Sequence, residues 1–296
     1  MAFLRSHKVE IAIFVLALVV RSLYFGVSLE SRGGDTMATI SGADGYTTIS
    51  RNVLVGNGYS SDIQPPYTPN SIRPPVYPYF LVATYLLFHS YISTLVFQIL
   101  IGSILPLIGM AIAGYIINKR SVSIAVGVLM ALEPFSILFS IFFYSETIFM
   151  FLFSLSVLHL FQFLKEERII PLILSSSLLG LSMLTKPTAQ YVPIIFVGFI
   201  VWHYRTKLSQ ALIYSAGYAL ICLLVVSPWL YRNYHEFGVA GISAQQGSTL
   251  YTILVPSMLA IKNGTTFQQE FNIILAQGGT DPNSTSISQS AEFTHK

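Results

Sequence analysis

The sequence predicts an all-α polytopic membrane protein, and three observations carry that reading. The 296-residue chain is 53% hydrophobic and only 10% charged, against about 25% charged in an ordinary soluble domain. Several apolar runs reach the roughly 20 residues that a helix needs to cross a bilayer. The breaks between those runs hold short basic clusters, the pattern of loops that face the cytoplasm. This composition excludes a disordered chain and argues against a nucleic-acid binder or a soluble enzyme. The 16 Lys/Arg and 13 Asp/Glu leave a net charge of +3. One cysteine, Cys222, cannot close an internal disulfide, and the six histidines are too scattered to show metal-ligand spacing.

The elements follow from the basic clusters Arg5/Lys8, Lys119/Arg120, Lys165/Arg168 and Arg205/Lys207. If all four face the cytoplasm, an even number of spans separates each from the next wherever the intervening stretch is long enough. The first span, about 9–27, leaves the cytoplasm after Lys8. It is too long for a signal peptide, and no clear small-residue cleavage site follows it. A long first outer loop, about 30–93, comes next. Within it Val76 to Phe88 is too short to span and carries Tyr77, Tyr79 and Tyr85, residues that favour the interface. The second span is 94–117. Residues 121–164 carry only Glu133 and Glu146 as charges, so two spans, 122–139 and 145–164, turn outside between them. Two short spans, 170–185 and 189–204, turn outside at Lys186 and Pro187. A seventh, 210–230, ends outside in Tyr231, Arg232, Asn233 and Tyr234. Pro106 and Pro193 are expected to kink their helices. The module therefore covers 1–234, and a polar tail, 235–296, lies outside the membrane.

Charged groups near a span are costly and mark function. The outer face gathers Asp35, Asp44, Arg51 and Arg73 from the loop, Glu133, Glu146, Lys186 and Arg232 from span ends, and Arg21 late in the first span. Snorkelling at the interface is the ordinary explanation for any one of them. The set as a whole points to a cavity open outwards, because Glu133, Glu146 and Lys186 interrupt apolar sequence. In the loop, GADGYTTISRNVLVGNGYS (Gly42 to Ser60) places Tyr46, Ile49 and Val53 on one face of a short interfacial helix. Asp44 is expected at its N-cap, and Gly56 or Gly58 at its end. Asp44 is then either a plain helix cap or a carboxylate that the cap aims into the cavity.

DGYTTISRNVLVGNGYS followed by RPPVYP (Arg73 to Pro78) resembles the first outer loop of C-type membrane glycosyltransferases. The likeness is to the branch holding protein mannosyltransferases and the aminoarabinose-to-lipid A transferase. Tyr144, Ser145 and Glu146 match that branch's Tyr-Ser-acid step. GLSMLTKP (Gly180 to Pro187) and PWLYRNY (Pro228 to Tyr234) match its later segments, in the same order. The resemblance implies a seven-span core with two interfacial helices in the first loop, and transfer of a sugar from a polyprenyl-phosphate donor, undecaprenyl- or dolichyl-linked, to a lipid, glycan or protein acceptor outside. It places the catalytic Asp on Asp44. Because polyprenyl phosphate is already a good leaving group, one carboxylate acting as general base is sufficient for single displacement with inversion. Lys186, Arg73 and Arg232 are the expected donor-phosphate contacts; Glu146 and Tyr46 complete the expected binding set. Gly45 stands where some relatives carry a second acid, so a divalent metal is left open. Many relatives continue for further spans, so a chain stopping at Lys296 is expected to be a minimal form or to lack part of the acceptor site. The alternative that this motivates is a non-catalytic lipid-handling or transport protein on the same scaffold. A solute transporter fits less well, since no pair of related halves is visible. The sequons at Asn263 and Asn283 carry little weight.

Overall fold

The computed structural model describes residues 7–30 and 45–278, and among them every regular element is a helix. Four are long and apolar enough to cross a membrane. These are α1 (Lys8–Glu30), α4 (Tyr91–Ile117), α7 (Glu146–Glu166) and α10 (Leu208–Phe237). Between α1 and α4 lie α2 (Tyr46–Val55) and α3 (Val76–Phe88), both too short to span. The expected all-α polytopic class is what the fold presents.

The expected straight span 122–139 is broken. It forms α5 (Arg120–Ala131) and α6 (Pro134–Ser140), bent by 52°. Pro134 has no N–H to continue the ladder. The Glu133 carboxylate then caps the new helix, accepting from the amides of Phe135 (3.0 Å) and Ser136 (2.5 Å). Fully buried Arg21 of α1 secures the break, donating to the Ala131 carbonyl (3.3 Å) and the Ser136 hydroxyl (3.0 Å). Gly102 on α4 makes room for it, since a Cβ there would lie 3.0 Å from Arg21 Nε. The short spans expected over 170–185 and 189–204 are α8 (Ile169–Met183, 15 residues) and α9 (Val192–His203, 12 residues). At about 1.5 Å per residue neither reaches a bilayer's roughly 30 Å core. By length and composition the described chain thus holds four spans, or five with the bent pair, rather than seven. Pro193 is also not a kink: it opens α9 at a position where its missing N–H costs nothing. Pro106, by contrast, sits inside the continuous α4.

Helix α8 packs between α7 and α10, and α4 packs against α1, α5 and α7. One apolar core joins Phe163, Leu172, Leu179, Ile200 and Tyr218 across α7 to α10. A second, built on Tyr46, Tyr77, Leu95, Phe143 and Ile148, lies under α2 and α3. Polar staples cross the larger core. Ser156 and Ser175 each donate to the other's carbonyl at 2.8 Å, and Ser175 also bonds Tyr218. After α10 the chain does not trail away. Ala244 donates its amide to the Ser71 carbonyl, Ser243 bonds the Ile72 carbonyl, and three short α-helices follow, α11 (Gln245–Thr249), α12 (Val255–Asn263) and α13 (Phe267–Gly278), the first two joined by a π-helical turn (Leu250–Leu254).

Candidate active site

The first loop is built by its own side chains. Helix α2 starts at Gly45, in the left-handed region (φ 71°), and stops at Gly56 (φ 84°). The N-cap is therefore Gly45, not Asp44, and no side chain caps this helix. Asp44 and Asp35 lie outside the described residues, as do Arg5 and Asn283. Tyr46 and Ile49 face inward as their spacing predicts, with Asn52 buried beside them. Asn52 Nδ2 donates to the carbonyls of Ser60 (2.8 Å) and Asp62 (2.9 Å), which turns the chain back on the helix. Tyr59 hydroxyl reaches the carbonyls of Arg73 and Pro74, both at 2.9 Å. Burial raises the Tyr59 phenol well above its ordinary range, so it stays a neutral donor. Asn70 Oδ1 accepts from the amides of Ile72 and Arg73. These uncharged anchors escape a search based on charge, although Asn52 lies within the segment that carries the resemblance.

Each segment singled out in the sequence meets another in space. Tyr46 hydroxyl donates to Ser145 Oγ at 3.2 Å, linking the loop to the start of α7. The Arg73 guanidinium lies 5.1 Å over the Tyr46 ring, within the range of a cation–π contact. Val76 amide donates to the Leu184 carbonyl at 3.1 Å, tying the segment after Arg73 to the turn that presents Lys186. Lys186 Nζ lies 2.6 Å from Glu146 Oε1. The other Glu146 oxygen, Oε2, is buried with no hydrogen-bond partner among the described residues. Tyr77 donates to Gln98 Oε1 at 2.6 Å, and Gln98 donates to the Phe142 carbonyl, which braces the floor beneath Tyr46.

Two expected members stand apart. Arg232 is sandwiched among Trp229 (4.8 Å), Phe237 (5.0 Å) and Tyr59 (5.6 Å), and its Nη1 donates to the Asn70 carbonyl and Asn233 Oδ1. Its visible work is to hold the loop. Glu133, one of the outer charges, is consumed in capping α6; Ser136 bridges it to Arg21, whose charge it also feels directly. Among the described residues no three His, Cys, Asp or Glu side chains group as a metal site.

Long apolar helices with an acid–base pair beneath a firmly anchored loop define a multi-pass membrane protein that places charge at the edge of an apolar bundle. Residues 72–231, more than half of the chain, match the model of the dolichyl-phosphate-mannose-protein mannosyltransferases. The chain belongs to that family, and this region is a C-type membrane glycosyltransferase domain. No curated protein and no solved structure matches the chain. The matched region begins after Asp44, so the assignment of that residue rests on the sequence resemblance alone.

Proposed function

We propose that the protein transfers a sugar from a polyprenyl-phosphate donor to an acceptor hydroxyl on the outer side of a plasma (inner) membrane. The N-terminus is cytoplasmic in this reading, which the placement of the basic clusters supports. The observation that carries this reading is the meeting of Tyr46, Arg73, Ser145, Glu146 and Lys186, from three separate segments of a family member, at one end of the bundle. Asp44, two residues before Tyr46, serves as general base. It takes the proton of the acceptor hydroxyl as that oxygen bonds to the anomeric carbon. The bond from that carbon to the phosphate oxygen breaks, the polyprenyl phosphate leaves with the electron pair, and the anomeric centre inverts.

Charge builds on the departing phosphate, so fixed cations there lower the barrier. Lys186 and Arg73 are suited to this, one held by Glu146 and the other by the Tyr46 ring. Arg232 acts chiefly by fixing the loop between Asn70 and Arg73. Glu146 holds Lys186 and is our candidate to accept from a sugar hydroxyl, and Tyr46 shapes the wall beside it.

The test is to incubate membranes containing the full chain with a panel of polyprenyl-phosphate sugars and to identify the product. Asp44→Asn is expected to abolish transfer while expression and helix content stay unchanged. Undiminished turnover in that variant would overturn the general-base assignment. Donor binding without any transfer by the wild type would instead identify a lipid-handling protein.

A further inference from the structure

At the opposite end of the bundle lies an apolar groove. From Glu146 to Lys165 the chain is one continuous helix, α7, so at about 1.5 Å per residue the groove is about 28 Å from the Glu146–Lys186 pair. One part, about 280 Å³, is lined by Tyr115, Lys165, Trp202 and His203 with neighbouring apolar side chains. It shares Phe199 and Trp202 with a second part, about 380 Å³, walled by Ile195 and Gly198. The second part is a slot with apolar walls. Ile195 and Trp202 are more than half exposed, and a Cβ added at Gly198 would meet nothing within 4 Å. In a membrane protein such a surface faces acyl chains.

The first part is rimmed with positive charge. Lys165 Nζ lies 5.2 Å over the Tyr115 ring, and Arg205 lies 5.6 Å over Trp202. Glu166, the nearest acid in sequence, reaches the same rim, where Tyr115 and Arg168 hold it. It accepts from Tyr115 hydroxyl at 3.3 Å and pairs with Arg168 at 3.6 Å. Lys165 has no carboxylate partner among the described residues. Aromatic rings beside cations at one depth are the mark of the membrane interface. A basic pocket between helices on the cytoplasmic side is suited to an anionic headgroup.

We propose that this groove binds one anionic phospholipid, its phosphate at Lys165 and His203 and one acyl chain in the Ile195–Gly198–Phe199 slot. Charge complementarity selects this occupant: a zwitterionic lipid fills the slot equally well but brings no net negative charge to the rim. The donor's polyprenyl phosphate is excluded by position, because its phosphate belongs at the other end of α7.

The experiment titrates the purified full chain in detergent with phosphatidylglycerol and phosphatidylcholine of identical acyl chains, counting bound lipid by native mass spectrometry. Wild type is expected to retain one phosphatidylglycerol in preference to phosphatidylcholine. Lys165→Gln should weaken that preference about fivefold, the worth of one basic residue near an anionic headgroup. Gly198→Leu should fill the slot and weaken binding of both lipids. Arg120→Gln, on the same basic face but outside the groove, should change nothing. Equal retention of the two lipids by wild type overturns the proposal. So does an Arg120→Gln effect as large as that of Lys165→Gln, since diffuse surface charge would then account for the selectivity. Displacement of phosphatidylglycerol by undecaprenyl phosphate in wild type but not in Lys165→Gln would assign the groove to the donor and overturn it as well. Lys165 is exposed at a helix end, so its variant reports even if Gly198→Leu fails to fold.

Discussion

Lys186 Nζ and Glu146 Oε1 lie 2.6 Å apart, joining the start of α7 to the turn after α8. Both side chains are partly exposed, 34% and 21%, so solvent screening limits the pair's worth to about 1 kcal/mol of stability. The larger consequence is catalytic. Lys186→Gln is expected to lower transfer about 10²- to 10³-fold, the usual cost of removing one contact to developing charge, with little change in melting temperature. Glu146→Gln should raise KM for the donor more than it lowers kcat, because it loosens the lysine without removing it. Steady-state kinetics and a thermal melt of both variants check this. A large loss of stability with unchanged kinetics would make the pair structural.

Arg232 gives the opposite expectation. Three rings surround its guanidinium, and its hydrogen bonds end on Asn70 and Asn233. Arg232→Lys keeps the charge but loses the planar, stacked geometry. It should destabilise the protein by about 1–3 kcal/mol, from lost stacking and the unpaired buried acceptors. Faster amide exchange at Ile72 and Arg73, whose N–H groups depend on Asn70 Oδ1, is the local signature to measure.

The loop also has a pH dependence with a defined sign. Asp62 Oδ2 accepts from the amide and hydroxyl of Thr68, both at 2.6 Å, and from Ser60 at 3.1 Å. These bonds hold its carboxyl below the ordinary carboxylate value, the Thr68 bonds contributing most. A group depressed in the folded state stabilises it at every pH above its unfolded value, about 3.9. That contribution disappears as pH falls through the lower folded value. The protection factor of the Thr68 amide should therefore be highest at neutral pH and fall as the Asp62 carboxyl is protonated in acid. Asp62→Asn should abolish the pH-dependent part; a profile identical to wild type would refute it.

Much of this arrangement was legible because charge is scarce. Glu146 and Lys186 stand out as isolated charges in apolar sequence, and they prove to be partners. The interior spacing of Tyr46 and Ile49 likewise survives as a buried face. What escaped depends on contacts distant in sequence. The break at Glu133–Pro134 needs Arg21 of α1 to take the freed Ala131 carbonyl, and no local pattern around Pro134 names that partner. Arg232 reads as an exposed cation until Tyr59 and Asn70, far earlier in the chain, close around it. Capping at Gly45 displaced the expectation for Asp44 because a left-handed glycine begins the helix without any side-chain acceptor.

Gly180, in the segment leading to Lys186, sets the distance between α8 and α10. A Cβ there would lie 2.8 Å from Val225 Cβ and 3.3 Å from the Cys222 carbonyl oxygen. Gly180→Ala should therefore cost about 1–3 kcal/mol through overpacking, read as a lower melting temperature in detergent. Val225→Gly in the same chain should restore part of that loss, since it removes both the Cβ at 2.8 Å and the Cγ1 at 2.9 Å. Additive losses in the double variant would show that the backbone contact at Cys222, not Val225, sets the limit.

Sidedness is open to direct measurement. Helix α4 is 27 residues long, about 40 Å at 1.5 Å per residue, so its ends cannot share a membrane face if it crosses. Cys222 is buried, and Cys222→Ala leaves a background without native thiols. In that background, cysteines at Ser90 and Lys119 should label from opposite sides with a membrane-impermeant maleimide. Ser90 caps α4 through the Ile92 amide, so its replacement costs about 1 kcal/mol, which the rest of a helix this long absorbs. The same reagent decides between five spans and seven. If α8 and α9 cross as short spans, a cysteine at Gln190 labels from the Ser90 side and one at Arg205 from the Lys119 side. Labelling of Gln190 and Arg205 from the same face would instead make α8 and α9 a re-entrant pair. Because Lys186 lies 2.6 Å from Glu146 at the start of α7, labelling of both from the Lys119 side would also put the start of α7 on that face, and it would overturn the outward-facing site.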